Sequence, residues 1–199
     1  MKKPDGYDEV QAATAGESQT LPPDGYVCEI RQASISESKS GNEMLVLCLD
    51  ISEGEFKGFY KAQFSDRTAN NSTNAEVKWG CVYRQLTGGS STRFFKGLIT
   101  SIEESNEGYK WNWNEATLKG KKIGAVFGRE QYENNKSELV FSTKPMYALS
   151  ASRIQKGEFK VPEDKLLNGA KSSKSKPSSP KRENPAYPDD DIDESDLPF

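Results

Sequence analysis

The chain has 199 residues, a formal net charge of -3 and a mean hydropathy of -0.80, with 34% hydrophobic residues. This length suffices for one domain of ordinary size, and the low hydropathy predicts that part of the chain does not fold. No stretch approaches the roughly 18 apolar residues of a membrane-spanning helix, and the absence of histidine excludes imidazole-based catalysis and the commonest ligand of transition metals.

The cysteines and the N-terminus indicate a cytoplasmic protein. Three cysteines, Cys28, Cys48 and Cys81, are odd in number and widely spaced, which fits neither a disulfide framework nor a zinc ribbon. We interpret them as reduced, mostly buried thiols. No apolar run follows Lys2 and Lys3, so no secretory signal is predicted. Phosphate-binding loops and dinucleotide fingerprints are also missing, and we expect no cofactor and no metal.

Charge divides the chain into four predicted regions. Residues 1–20 are expected to form a flexible arm, and residues 21–152, with 16 basic and 16 acidic residues, a folded body. Residues 153–188 are rich in Ser, Lys and Pro, a composition typical of a flexible linker. Residues 189–199 form an acidic tip. Residues 153–182 hold 9 basic and 3 acidic residues, whereas residues 183–199 hold 7 acidic and no basic ones.

The body begins with three predicted strands. A turn at 21–25 leads into residues 26–36, which are rich in β-formers. Residues 44–51 are apolar at successive positions, as expected for a central strand that is buried on both faces. After a further turn, the alternation of aromatic and polar residues in 59–64 predicts a third strand.

A helix and two further strands complete the predicted body. The apolar residues between 94 and 102 recur at helical spacing, and Ser91 or Thr92 is suited to cap the helix start. Residues 121–132 and 138–151 read as two strands, joined by a hairpin turn at 133–137. Five strands with a helix between the third and the fourth is the order of the OB-fold, a small Greek-key barrel. We therefore predict a mainly β protein with an OB-fold barrel and disordered tails.

The predicted barrel indicates where a nucleic acid would bind. The ligand face of an OB-fold is formed by strands 2 and 3, with the loops 37–43 and 131–138 at its sides. Single strands are bound by cations that follow the phosphates and by aromatic rings on which bases stack. The body offers both types of residue, and the candidates are Lys57, Phe59, Tyr60, Lys61, Arg67, Lys78, Trp79, Tyr83, Arg84, Trp111, Trp113, Lys121, Lys122, Arg129, Tyr132 and Lys136.

Each candidate also has a structural interpretation. Phe59 fits the barrel interior, and Trp79 and Tyr83, four residues apart, fit the packing of a short helix. Trp111 and Trp113 are flanked by Asn, so they are better candidates for a partly exposed platform, although they also fit a cover over the barrel end. The lysines fit an ordinary solvated surface because the body is neutral overall.

The acidic tip carries a resemblance to a known family. It consists of Asp189, Asp190, Asp191, Asp193, Glu194, Asp196, Leu197, Pro198 and Phe199. The chain resembles single-stranded DNA-binding proteins of bacteria and their phages, in which an OB-fold precedes a flexible linker and an acidic tip that ends in Pro-Phe. In the body, the stretches DGYVCEIRQASISESKSGNEMLVLCLDISEGEFKG, RFFKGLITSIEESNEG and LKGKKIGAVFGREQY are similar to phage-encoded members.

The resemblance implies a non-enzymatic protein of the bacterial or phage-infected cytoplasm. Such a protein coats exposed single strands in DNA replication, recombination and repair, and its tip docks on partner proteins through the terminal ring and charge-assisted hydrogen bonds. The spacing between DDDI and LPF is wider than in the usual bacterial ending. Whether copies assemble into a homo-oligomer stays open. An alternative is an adaptor that binds protein through an OB-like body and uses the tip as a recruitment peptide.

Overall fold

In a computed structural model, the described residues 20–71, 75–134 and 136–167 form one five-stranded antiparallel sheet in the order β3-β2-β1-β4-β5. Three α-helices accompany the strands, together with two short 3-10 helices at Gly89–Ser91 and Glu115–Leu118. The elements in chain order are β1 Gly25–Glu37, β2 Glu43–Ile51, α1 Phe59–Ala69, β3 Val82–Leu86, α2 Thr92–Ser105, β4 Lys122–Glu133, β5 Leu139–Leu149 and α3 Ala151–Gln155. The arm up to residue 19, the linker from residue 168 and the tip lie outside these described residues.

Strand β2 is an inner strand of the sheet and is buried on both faces, as its apolar run predicts. Leu45, Leu47 and Leu49 face the main core, and every residue from Met44 to Ile51 is buried. Alternation along the strand places Met44, Val46 and Cys48 on the opposite face. All three cysteines of the chain are free and buried, as predicted.

The prediction of a third strand at 59–64 is wrong, because these residues begin helix α1 and the third strand is β3. Tyr60, Gln63 and Phe64 recur at helical spacing and face Trp79 and Gly80, which follow α1. The alternation of rings and polar residues concealed this helical face.

A side chain from outside the helix completes the start of α1. The Asp50 carboxylate accepts hydrogen bonds from the backbone N–H groups of Tyr60 at 3.1 Å and Lys61 at 3.4 Å. Gly58, with φ of 75°, turns the chain into the helix in a conformation that a side chain disfavours. The carboxylate therefore satisfies N–H groups that a helix leaves unpaired at its first turn.

Helix α2 confirms the predicted helix after the third strand. Phe95, Leu98 and Ile102 are buried beneath the sheet, and the helix contacts β3, β4 and β5. Ser91 precedes it without a side-chain cap hydrogen bond. Edge strands β3 and β5 approach one another beside α2, but they share no ladder of hydrogen bonds in the described part of the chain. The sheet is thus not closed into a barrel.

The described part of the predicted linker lies against the sheet. Helix α3 buries Ala151 and Ile154 in a second apolar cluster with Val27 and Val126. Phe159 packs against this cluster, directly over Gly25, where an added Cβ would lie 2.6 Å from the ring. Among the described residues, no helix combines the length and the apolar character that crossing a membrane requires.

Candidate nucleic-acid interface

Ten of the sixteen predicted nucleic-acid-binding residues lie on three parts of the fold, together with neighbouring apolar side chains that were not among the predicted residues. We call these parts the α1 surface (Lys57, Lys61, Arg67, Lys78, Phe64 and Trp79), the tryptophan corner (Phe95, Trp111 and Trp113) and the β4–β5 arm (Arg129, Tyr132, Lys136, Leu139 and Phe141). The remaining candidates are buried or engaged in structural contacts, as described next.

Two of the predicted aromatic residues belong to the core. Tyr60 is 4% exposed and stacks on Phe127 at a ring distance of 6.3 Å, and Tyr83 is 6% exposed with its hydroxyl donating to Gln85. Burial raises the pKa of Tyr60 far above its usual range. Neither ring is accessible to a base, so their prediction as stacking residues is wrong. Phe59 is half-buried and meets the edge of Tyr60 at 5.1 Å.

The face of β2 opposite the core is also closed to stacking. Met44, Val46 and Cys48 on this face are buried, and Arg84 of β3 pairs with Val46 and is half-buried. Burial raises the pKa of the Cys48 thiol to about 11, although the charge of Arg84 acts in the opposite direction. The thiol therefore stays neutral and unreactive at neutral pH.

Two predicted lysines have structural partners. Lys122 donates to the Glu53 carboxylate at 2.7 Å, and this hydrogen bond is the main reason that the pKa of Glu53 lies below its usual value. The Lys121 ammonium lies 4.7 Å from the centre of the Tyr109 ring. Both lysines therefore connect the start of β4 to other parts of the fold, at Glu53 and at Tyr109.

The α1 surface combines exposed cations with a half-buried pair of rings. Lys57, Lys61, Arg67 and Lys78 are exposed, and within the described ranges the first three form no ion pair. Phe64 and Trp79 lie 5.4 Å apart, and the Trp79 indole N–H donates to the Leu49 carbonyl at 2.8 Å. The ring of Trp79 is therefore held by the fold, whereas the cations face solvent.

The tryptophan corner presents one fully accessible ring. Trp113 is 79% exposed and has φ of 63°, a left-handed conformation that is rare for a large side chain. Its ring lies 6.3 Å from the half-buried ring of Trp111 and 6.5 Å from that of Phe95. The three rings of the corner are thus in sequence buried, half-buried and exposed, from Phe95 through Trp111 to Trp113.

Local hydrogen bonds hold this corner in place. The Glu103 carboxylate accepts from the Trp111 backbone N–H at 2.9 Å and from Lys110 at 3.0 Å, and these bonds keep the pKa of Glu103 low. The Asn112 side-chain carbonyl accepts from the Asn114 backbone N–H at 3.2 Å. The buried Trp111 indole nitrogen has no hydrogen-bond partner among the described residues. Two of these hydrogen bonds hold the backbone on either side of Trp113, at Trp111 and Asn114.

The β4–β5 arm carries exposed apolar side chains beside an arginine. Tyr132, Leu139 and Phe141 are 43%, 52% and 39% exposed, and the Arg129 guanidinium lies 5.2 Å from the centre of the Phe141 ring. Sequence reasoning missed Phe141, although the alternation in β5 places it opposite Gln131. Arg129 also donates to the Asp164 carboxylate.

Comparison with known proteins adds no identification. Neither a protein-family model nor a curated protein matches the sequence. The argument for function therefore rests on the residues and on their geometry.

Proposed function

We propose that this protein is a non-enzymatic, largely sequence-independent single-stranded DNA-binding protein with an OB-type body. It coats exposed strands in replication, recombination or repair, and the acidic tip at 189–199 recruits partner proteins. The tip lies outside the described residues, so its role rests on the sequence resemblance alone.

The strand order supports an OB-type body. A Greek-key barrel of five strands, opened between strands 3 and 5, has the order β3-β2-β1-β4-β5, which is the order in this sheet. The two edge strands contact each other, and α2 connects β3 to β4 across the open end. The fold is thus consistent with a partly open barrel whose hairpins β1–β2 and β4–β5 extend on either side.

The exposed ring of Trp113 is the observation that carries the proposal. An exposed indole beside two further rings offers a π-face to any base, and such stacking is worth about 1–3 kcal/mol per base with little sequence preference. Its left-handed backbone costs about 1 kcal/mol, an expense that structures retain mostly at functional positions. The cations of the α1 surface supply charge for phosphates.

Fluorescence anisotropy on a labelled dT oligomer tests the proposal. We expect binding that weakens with salt, with a log–log slope of about -0.7 per phosphate contact, and much weaker binding to duplex DNA of the same length. The double variant Lys61→Gln/Arg67→Gln should reduce the slope by about 1.4. As a matched control, Lys156→Gln/Arg153→Gln removes two charges at the C-terminal end of α3 and should leave the slope nearly unchanged.

Other outcomes would count against the proposal. Equal binding to single-stranded and duplex DNA, or binding without salt dependence, would contradict a single-strand-binding surface. If no oligonucleotide quenches tryptophan fluorescence while partner proteins still bind the tip, the protein acts as an adaptor. Deletion of residues 191–199 separates the two roles, because it should abolish partner binding and preserve DNA binding.

A further inference from the structure

Residues 159–167, which we call the strap, cross the outside of the sheet towards the β4–β5 arm. The first half of the strap is firmly placed. The Phe159 ring covers Gly25, and the Tyr147 hydroxyl donates to the Lys160 carbonyl at 2.6 Å and accepts from the Lys160 backbone N–H at 3.1 Å. The strap therefore leaves the body at a fixed point beside β5.

The second half of the strap pairs with an open edge of β4. Strand β1 pairs with β4 only from Lys122 to Val126, so the edge beyond Phe127 has no neighbouring strand in the named sheet. There the Lys165 backbone N–H donates to the Arg129 carbonyl at 2.9 Å, and the Lys165 carbonyl accepts from the Gln131 N–H at 2.8 Å. This is a short parallel strand addition, in which two backbone hydrogen bonds set the register.

That register brings an acidic side chain onto Arg129. Asp164 accepts from both Nε and Nη2 of Arg129, the fork geometry by which a guanidinium also binds a phosphate. The two side chains are 47% and 29% exposed, so a competing anion can reach the pair. The neighbouring acid Glu163 is exposed, and within the described residues it takes part in no ion pair.

We propose that the strap is an autoinhibitory latch, in which Asp164 occupies the Arg129 guanidinium and a phosphate of bound DNA displaces it. The inference rests on the proposed function, because it assigns Arg129 to the DNA-binding surface. Two solvent-accessible ion pairs, Arg129–Asp164 and Lys165–Glu130 at 3.4 Å, and two edge hydrogen bonds hold the latch. Such contacts each contribute about 1 kcal/mol or less, so DNA binding can open it. Opening detaches residues 163–167 from β4 while Phe159 keeps the start of the strap on the body.

Matched charge variants test the latch by anisotropy on a dT oligomer. Asp164→Asn should tighten binding by about two- to fivefold, since it frees Arg129 from an exposed ion pair. Glu163→Gln removes the same charge from the adjacent position and should change affinity by less than about 1.5-fold, because exposed charges without a partner are screened. In an Arg129→Gln background, the effect of Asp164→Asn should shrink to that of Glu163→Gln.

Hydrogen exchange tests the latch independently, because a general change in surface charge would not alter the protection of individual backbone amides in the strap. The amides of Lys165 and Gln131 should lose protection when the dT oligomer saturates the full-length protein, while the Ile30 amide, bonded to Lys121 in the core, should not. Equal affinities of Asp164→Asn and Glu163→Gln, or unchanged protection at Lys165 on binding, would overturn the latch and leave the proposed function standing. Failure of the wild-type protein to bind single-stranded DNA would overturn both.

Discussion

Two tryptophans of this chain, Trp79 and Trp113, show how one residue type takes opposite roles. The indole of Trp79 donates to the Leu49 carbonyl, packs on Phe64 and closes the space between α1 and the sheet. Trp113 is 79% exposed, and within the described part of the chain its indole N–H donates no hydrogen bond. The first ring packs within the fold, and the second is the ring that the proposed function assigns to base stacking.

Their neighbours explain the difference. Trp79 lies in the segment that joins α1 to edge strand β3, and its ring packs on Phe64 of α1 and donates to the Leu49 carbonyl of β2. Trp113 lies between Asn112 and Asn114, whose side chains hydrogen-bond to nearby backbone groups and hold an irregular turn. A ring in such a turn cannot reach the core that Trp111 already covers.

The largest expected effect concerns the stability role of Trp79. Trp79→Ala should lower the free energy of unfolding by about 3 kcal/mol, because it removes a packed ring and leaves the Leu49 carbonyl without its donor. Trp79→Phe keeps most of the packing and should cost about 1 kcal/mol. Urea unfolding followed by circular dichroism measures both. Unchanged midpoints would show that Trp79 does not hold α1 to the sheet.

The binding role of Trp113 predicts the opposite pattern. Trp113→Ala should weaken the affinity for a dT oligomer by about 1–3 kcal/mol, or roughly five- to 150-fold, and change stability by less than about 0.5 kcal/mol. Trp113→Phe, which retains a π-face, should recover most of the affinity. Anisotropy titrations at fixed salt decide the point. If Trp113→Ala binds the dT oligomer with wild-type affinity, Trp113 does not stack on bases, and another surface must do so.

The contrast between these sites also shows what the sequence could predict. Strands β1, β2, β4 and β5 and helix α2 have local hydrophobic patterns, and their prediction is confirmed. Residues 59–64 were predicted as a strand, although they begin helix α1. The start of this helix depends on a hydrogen bond from Tyr60 to Asp50, ten residues earlier in the chain, and the residue types within 59–64 cannot predict that contact. Long-range contacts of this kind override local patterns.

The candidate site was predictable only in part, for a similar reason. The polar neighbours of Trp113 indicated its exposure, whereas the burial of Tyr60 and Tyr83 depends on which strand each ring meets across the core. The pairing of Arg129 with Asp164 joins residues 35 positions apart. No spacing rule for a helix or hairpin connects them, so only the fold reveals that Arg129 already has a partner.

A smaller effect is expected from the carboxylate that supports the Trp79 region. Burial raises the pKa of Asp50 above its ordinary value of 3.8, although hydrogen bonds from the N–H groups of Tyr60, Lys61 and Ile51 act in the opposite direction. A raised folded-state pKa means that stability is fully present below the unfolded pKa and is lost as pH rises through the folded one. The unfolding free energy of the wild type should therefore fall with rising pH relative to that of Asp50→Asn.

Urea unfolding of both proteins at several pH values from 3 to 7 measures this difference. Because the other titrating groups are common to the two proteins, their contributions cancel in the comparison. Glu55→Gln, which removes an exposed acidic charge near α1, is measured alongside as the control for the loss of one carboxylate. A wild type that gains stability relative to Asp50→Asn as pH rises would show that the three N–H donors outweigh burial.

The smallest expected effect is a difference in stability that depends on the backbone conformation of residue 113 and not on its ring. Trp113→Gly and Trp113→Ala both remove the indole, but only glycine adopts φ of 63° without strain. The relief of about 1 kcal/mol is partly offset by the greater freedom of glycine in the unfolded chain, so Trp113→Gly should be more stable by about 0.5 kcal/mol. At Thr100, an exposed position inside α2, the order should reverse, with alanine favoured by about 1 kcal/mol. If alanine is favoured at both positions, the surroundings do not hold residue 113 in the left-handed conformation, and the exposed ring loses its rigid support.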